Sequence, residues 1–146
     1  DRLREAGVQV IWQTGIAFES TAKKAAEEIS SAYVSAFIYE MDLAYAMADL
    51  VISRASASSV SEICLLGKAS ILVPLPSAAE DHQTENAKSL VSQNAAILVR
   101  DVDVKEKLIT EALAALQTDL STLEKNSLRL AKPNAAHEIA QSILSR

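Results

Sequence analysis

The amino-acid sequence predicts an α/β fold in which a parallel sheet is doubly wound, with helices on both of its faces. Short apolar runs of four to six residues alternate with helical periodicity along most of the chain. These runs are mostly apolar, which is typical of parallel strands buried on both faces. The length of 146 residues, of which 49% are hydrophobic and 23% charged, suits one domain. We therefore expect a single α/β domain over residues 1–146.

Five strands are predicted, each from a short run rich in apolar and β-branched residues. They lie at residues 8–12, 33–38, 50–53, 70–75 and 95–99. Gly15 follows the first run in a turn, and Pro74 and Pro76 end the fourth. Ligands of doubly wound sheets bind beyond the carboxyl ends of the strands, so the segments that follow these runs are the candidates for a site.

Helices are predicted between the strands and after the last one. The first four lie at residues 17–29, 41–48, 59–66 and 83–92. Gly67 is placed to end the third, because glycine readily adopts the left-handed conformation at a helix C-terminus. Only helical periodicity remains after residue 104, and Pro133-Asn134 opens a last helix. The C-terminal part of the chain is therefore predicted to be helical.

Composition and charge exclude several function classes. With 14 Lys and Arg against 19 Asp and Glu, a net charge of −5 and 4% aromatic residues, nucleic acid is not an expected partner. The single Cys64 excludes an intramolecular disulfide and fits a reducing compartment, where we expect a buried, unreactive thiol. No apolar run reaches the roughly 18 residues that span a bilayer, and the first residues are charged. We expect a cytoplasmic protein without a metal or a cofactor.

Glycine is scarce, at 3 of 146 residues. Any glycine-rich phosphate loop must therefore lie outside this chain or be replaced by other residues. The sequence begins at Asp1, within helical periodicity, rather than at a methionine. We therefore expect a fragment or a processed product.

A turn of small residues follows the third predicted strand. Residues 53–59 read SRASASS and enter a helix, whose free N–H groups and dipole favour an anion such as a phosphate. Ser59 and Glu62 also match the S-x-x-E capping box, in which the serine caps the helix and the glutamate returns to the N–H of the cap. Spacing alone leaves both interpretations open. Arg54 is expected to be solvated or ion-paired.

A polar loop follows the fourth predicted strand and enters the next helix. Several side chains of residues 77–86 both donate and accept hydrogen bonds, which suits sugar hydroxyls, although a solvated helix start has the same composition. Asp81 is predicted as the N-cap of this helix. Asp81 and His82 do not predict a hydrolase, since no G-x-S-x-G motif accompanies them. Phe37 and Ile38 end the second strand, either as core residues or with backbone groups that recognise a flat base.

An ordered set of motifs between residues 48 and 87 is specific. It comprises A-D-L-V-I-S-R, the small-residue turn, S-E-I, L-V-P and D-H-Q-x-x-N-A. This order closely resembles the donor-binding domain of the MurG family, bacterial N-acetylglucosaminyltransferases that convert lipid I into lipid II in peptidoglycan synthesis. The resemblance extends from about Val8 to the last helix. It implies a Rossmann-like domain that forms the C-terminal half of a GT-B glycosyltransferase and binds UDP-N-acetylglucosamine.

The resemblance also implies roles for individual residues. It implies that Glu62 receives the ribose hydroxyls, for which a carboxylate has enough acceptor sites, and that His82 and Gln83 contact the sugar. The residues that it places at the uracil base and the nucleotide are Ile38, Phe37 and Met41. The turn that presents backbone N–H groups to the diphosphate comprises Ser56, Ala57, Ser58 and Ser59. A helix N-terminus balances the diphosphate charge without a metal.

Two positions depart from the family, which usually has glycine where Ser56 and Asn94 stand. Ser56 predicts either a strained turn or a turn that does not need a positive φ. Asn94 is expected to adopt the left-handed conformation, which asparagine tolerates.

The chain also lacks the family's glycine-rich loops and any candidate for its catalytic base. We therefore expect that the N-terminal acceptor domain, and the first strand and glycine-rich loop of this domain, are missing. The fragment is expected to bind UDP-N-acetylglucosamine without catalysing transfer. The binding of lipid I and the contact with the inner face of the cell membrane are assigned to the missing domain.

Two other functions remain open. One is a non-catalytic α/β module that binds a nucleotide sugar. The other is a UDP-N-acetylglucosamine epimerase-like GT-B domain, for which Glu85 is the extra candidate carboxylate.

Overall fold

The computed structural model describes residues 2–27, 29, 31–76 and 81–145. Helices and short strands alternate through most of this part of the chain. The strands are β1 (Val10–Gln13), β2 (Ala32–Ser35), β3 (Leu50–Ser53), β4 (Ala69–Leu72) and β5 (Ile97–Leu98). The helices are α1 (Arg2–Glu5), α2 (Glu19–Ala26), α3 (Met41–Met47), α4 (Ala57–Leu66), α5 (His82–Ser92), α6 (Val104–Leu116), α7 (Ser121–Arg129) and α8 (Ala135–Leu144).

Every strand pair among the described residues is parallel. β1 pairs with β2, with Val10 opposite Ala32, while β3 pairs with β4, with Leu50 opposite Ala69, and β4 also pairs with β5. The predicted α/β class is therefore confirmed. The described strands are grouped into two sheets, β1-β2 and β3-β4-β5, where the sequence predicts one. Apolar runs locate strands but do not specify which strands are neighbours.

The core lies on both faces of β4, all four residues of which are buried. Successive side chains of a strand point to opposite faces, and here they enter different clusters. Ile71 packs with Ala112 of α6, whereas Leu72 packs with Ile63 of α4 and Leu90 of α5. Helices therefore cover β4 from both sides, as the doubly wound prediction requires.

Several elements differ in length from their predictions. Residues 36–38 and 73–75, predicted as strand, follow β2 and β4 as loop, because an apolar run can continue beyond the last paired residue. α4 begins two residues earlier than predicted, at Ala57. The helical C-terminal part is confirmed as α6, α7 and α8. None of the described helices is long and apolar enough to cross a membrane.

Left-handed residues end two of the helices. Gly67 follows α4 with a φ of 60°, and Asn94 follows α5 with a φ of 51°, so both predictions are confirmed. Asp81 precedes α5 at the N-cap position, but its side chain makes no capping hydrogen bond. The predicted position is therefore confirmed, and the φ of 58° accounts for the missing bond, since capping side chains normally extend from a β-region backbone.

Candidate functional site

The turn between β3 and α4 is organised by Ser56. Its backbone is extended, with φ −67° and ψ 154°, and its Oγ accepts a hydrogen bond from the N–H of Ser59 at 3.2 Å. Ser56 is therefore the N-cap of α4, so the predicted capping box of Ser59 and Glu62 is wrong. Three nearby serines match a cap, and the extended backbone of Ser56 selects it. Of the two alternatives for Ser56, the turn without positive φ is confirmed.

The start of α4 carries several groups that can donate hydrogen bonds. The first N–H groups of a helix have no partner within the helix, and Ala57 and Ser58 carry two of them. Ser56 Oγ also lies 2.8 Å from Ser59 Oγ and 3.2 Å from Ser58 Oγ. Ala57 and Ser58 line the solvent-facing side of this start, so the turn presents hydroxyl and amide groups at the positive end of the helix dipole.

The carboxylate of Glu62 is exposed one turn beyond this start. Its Oε2 accepts a hydrogen bond from the hydroxyl of Tyr45 in α3, with an oxygen–oxygen distance of 3.1 Å. Burial, the hydrogen bond and the charge of Glu62 raise the pKa of Tyr45 to about 12, so the phenol stays a neutral donor at physiological pH. Tyr45 is not among the predicted site residues, because no local spacing connects it with a carboxylate 17 positions away.

Two side chains connect α5 to the loops around it. Gln83 Oε1 accepts a hydrogen bond from the N–H of Leu75 at 3.0 Å, and Asn86 Nδ2 donates one to the carbonyl oxygen of Ala55 at 3.0 Å. The second bond holds α5 against the turn before α4. His82 is exposed at the first position of α5.

Asn86 is likewise absent from the predicted site residues, although the asparagine of the D-H-Q-x-x-N-A motif is a usable signal. Residues 77–80 of the predicted polar loop lie outside the described residues.

The segment after β2 carries the residues predicted to lie near the base and the nucleotide. The N–H of Ile38, which one of the two alternatives makes available to a base, donates a hydrogen bond to Gln13 Oε1 of β1 at 2.9 Å. Gln13 reaches it because β1 and β2 are paired. Phe37 is exposed rather than core, and its ring meets that of Tyr39 edge-on at 5.0 Å. Met41 is half-buried at the start of α3, the helix that carries Tyr45.

Arg54 and Cys64 have structural roles. Arg54 Nη1 lies 2.5 Å from Asp101 Oδ1 and 3.3 Å from the carbonyl oxygen of Val73, which confirms the expected ion pair. This ion pair connects the end of β3 to the segment that follows β5. Cys64 is buried within α4, and burial raises the pKa of its thiol while a hydrogen bond with Ser127 opposes the rise. The expected burial of Cys64 is therefore confirmed, and a raised pKa disfavours the reactive thiolate.

Contacts between elements connect α3, α4 and α5, the helices that carry Met41, Glu62 and Gln83. The bond between Tyr45 and Glu62 connects α3 to α4, and the bond between Asn86 and Ala55 connects α5 to the β3–α4 turn. These segments follow β2, β3 and β4, at the carboxyl ends of parallel strands. The arrangement therefore has the position and the polar groups of a ligand site in a doubly wound fold.

Comparison with known families identifies the domain that contains this arrangement. Residues 1–143 match the model of the glycosyltransferase family 28 C-terminal domain. The chain belongs to this family. The resemblance detected in the ordered motifs of residues 48–87 is thereby confirmed. The polar segments described above lie within the matched range, so the family 28 domain includes the whole candidate site.

Relatives of the family 28 domain support the same assignment. Two proteins, from Porphyromonas gingivalis and Bacteroides fragilis, are each 49% identical to this chain. Both are named UDP-N-acetylglucosamine--N-acetylmuramyl-(pentapeptide) pyrophosphoryl-undecaprenol N-acetylglucosamine transferase. The matches cover 95% and 97% of this chain but 38% of each relative. The crystal structure of Acinetobacter baumannii MurG superposes with a TM-score of 0.87 at 29% identity, over 100% of this chain and 45% of that one. The chain thus spans about two fifths of the length of these curated relatives.

Proposed function

We propose that this chain is the donor-binding domain of a glycosyltransferase that transfers N-acetylglucosamine from UDP-N-acetylglucosamine to lipid I, producing lipid II for peptidoglycan synthesis. Membership of family 28 and the names of the relatives support the reaction class. One geometric observation carries the proposal. Ser58 in the first turn of α4 and Glu62 one turn later lie on the same helical face, with Cβ atoms about 6 Å apart. An anion site and an acceptor for hydroxyl groups thus lie side by side.

The start of α4 suits the diphosphate of the donor. The N–H groups of Ala57 and Ser58, with the hydroxyl of Ser59, donate to phosphate oxygens, and the helix dipole offsets part of the negative charge. The cap by Ser56 holds the turn in place when the site is empty. Glu62 then receives the two ribose hydroxyls, since a carboxylate has about four lone-pair sites. The nucleotide would run along one face of α4.

The remaining residues would recognise the two ends of the donor. We assign the sugar hydroxyls to His82 and to Gln83, whose Nε2 can donate while its Oε1 is held by Leu75. The residues assigned to the uracil and the nearby nucleotide are Phe37, Ile38 and Met41. Base recognition through the N–H of Ile38 then requires the side chain of Gln13 to turn away from it.

The reaction itself would require the rest of the longer protein. Because the chain spans 38% of its relatives, we propose that the catalytic base, the site for lipid I and the peripheral contact with the inner face of the membrane belong to the part outside it. We also propose that one strand of this domain, with its glycine-rich loop, lies in that part. This chain would bind the donor and leave it unreacted.

Titration calorimetry with UDP and UDP-N-acetylglucosamine tests the proposal. We expect weak binding of both ligands, weaker binding of ADP, and a loss of about tenfold or more in UDP affinity for Glu62→Ala, since the substitution removes hydrogen bonds to a charged group. Glu106→Ala removes an exposed carboxylate from α6 and serves as the matched control. Absence of heat at millimolar UDP, or equal binding by the wild type and Glu62→Ala, would count against the site.

A further inference from the structure

Tyr45 contacts the candidate site from a different helix. It lies on α3, and its hydroxyl donates to Glu62 Oε2 across the space between α3 and α4, at 3.1 Å. The two side chains differ in exposure, since Tyr45 is half-buried and Glu62 is exposed. A flexible surface carboxylate is therefore held by a group with a fixed position.

The position of Tyr45 is fixed by the hydrophobic core. Its ring packs against the cluster that includes Ala55, Ile63 and Leu72, so the position of the hydroxyl is set by a well-packed ring. An exposed glutamate otherwise samples several rotamers, and restricting it on ligand binding costs conformational entropy. A hydrogen bond that already restricts Glu62 in the empty site reduces this loss, which is the effect of preorganisation on affinity.

The hydrogen bond leaves Glu62 enough acceptor capacity for a ligand. An ionised carboxylate has about four lone-pair sites, and Tyr45 occupies one of them on Oε2. A vicinal diol, with two hydroxyl donors, needs two of the remaining lone-pair sites. We propose that Tyr45 is a positioning residue that orients the Glu62 carboxylate to receive the vicinal diol of the ribose of a nucleoside diphosphate. This inference rests on the proposed function, since it assigns Tyr45 a role in that same site.

The protonation state of Tyr45 agrees with this role. Burial first, and then Glu62, raise the pKa of the phenol to about 12, so the donor proton remains in place at any physiological pH. A tyrosinate could not donate and would repel the carboxylate.

The test compares two ligands that differ in the diol. Tyr45→Phe keeps the ring in the core and removes only the hydroxyl, and Tyr33→Phe removes an exposed hydroxyl from β2 as the matched control. By calorimetry, we expect Tyr45→Phe to weaken UDP binding by about threefold to tenfold, the usual effect of one hydrogen bond. Binding of 2′,3′-dideoxy-UDP, which lacks the diol, should change by less than about twofold. Tyr33→Phe should leave both affinities unchanged.

A double mutant supplies the second measurement. In the Glu62→Ala background, Tyr45→Phe should have no further effect on UDP affinity, because the side chain that it orients is absent and no acceptor replaces it. Equal weakening of UDP and dideoxy-UDP by Tyr45→Phe would indicate a structural role and overturn the inference. UDP binding that is unaffected by Tyr45→Phe but lost with Glu62→Ala would overturn the inference and leave the proposed function intact. Absence of UDP binding by the wild type would overturn both.

Discussion

Ser56 shows how a serine can occupy the turn before a helix without backbone strain. At the N-cap its extended backbone needs no positive φ, and its Oγ accepts the N–H of Ser59. Serine and glycine are both accepted at N-cap positions, serine through its side chain and glycine through its freedom to enter the turn. The site therefore keeps an open helix start with either residue.

The cap predicts a graded loss of stability. Ser56→Ala removes the acceptor and should lower the free energy of unfolding by about 1 kcal/mol, whereas Ser56→Gly should lower it by only a few tenths. Urea denaturation measures both values. Ser20→Ala, at an exposed position in the first turn of α2, is the control and should change the free energy by less than about 0.5 kcal/mol. Equal losses for Ser56→Ala and Ser20→Ala would mean that Ser56 does not cap α4.

The raised pKa of Tyr45 predicts a pH dependence of stability. The ordinary pKa is 10.0 and the folded value is about 12, so folding favours the protonated phenol. Its contribution is fully present below pH 10 and is lost as the pH rises towards about 12. The stability difference between the wild type and Tyr45→Phe should therefore be constant at neutral pH and shift against the wild type above pH 10. Urea titrations across this range measure the difference, and parallel curves would contradict the assignment.

At the scale of elements, α4 and α7 approach closely at Gly67. A Cβ at this position would lie 3.3 Å from Cβ of Leu128, and the φ of 60° is itself unfavourable for a side chain. Gly15 has a similar φ of 73°, but a Cβ added there would have nothing within 4 Å. The two glycines thus separate backbone strain from steric contact.

Substituting each glycine by alanine should show how much of the loss in stability comes from backbone strain and how much from steric contact. Gly15→Ala should destabilise by about 1 kcal/mol through the positive φ alone. Gly67→Ala should destabilise by about 2 to 3 kcal/mol, because α7 must also shift to accommodate the methyl group. Thermal or urea unfolding measures both. If the two losses are the same, the contact between α4 and α7 adjusts freely and the packing argument is wrong.

The elements also show what a sequence can predict. Apolar runs locate each described strand, and the signal has its clearest cause in β4, which is buried along its whole length. The runs do not show that Ile38 lies beyond the end of β2. The S-x-x-E spacing of Ser59 and Glu62 is misleading, since the backbone conformation of Ser56 decides the cap and is not encoded by spacing. The partner of Glu62, Tyr45, comes from another helix, and such a tertiary contact has no local pattern.

At the scale of the whole molecule, each of the two sheets has edge strands that are paired on one side only among the described residues. Among the described residues, β1 is paired only with β2, and β3 only with β4. Val10 and Thr14 donate their N–H groups towards the β2 side, so by alternation the N–H of Ile11 points to the opposite edge of β1. The strand that we propose to lie in the longer protein would pair with these edges and join the two sheets.

Hydrogen exchange on a longer form of the protein tests this arrangement. If a parallel strand from the part outside this chain pairs with β1, the amide of Ile11 becomes hydrogen-bonded and its exchange should slow by about tenfold or more relative to the 146-residue chain. The amide of Trp12 points towards β2 by the same alternation and should change less, which makes it the internal control. Identical exchange of Ile11 in both forms would show that the edge of β1 stays unpaired, and the two sheets would then be separate in the longer protein as well.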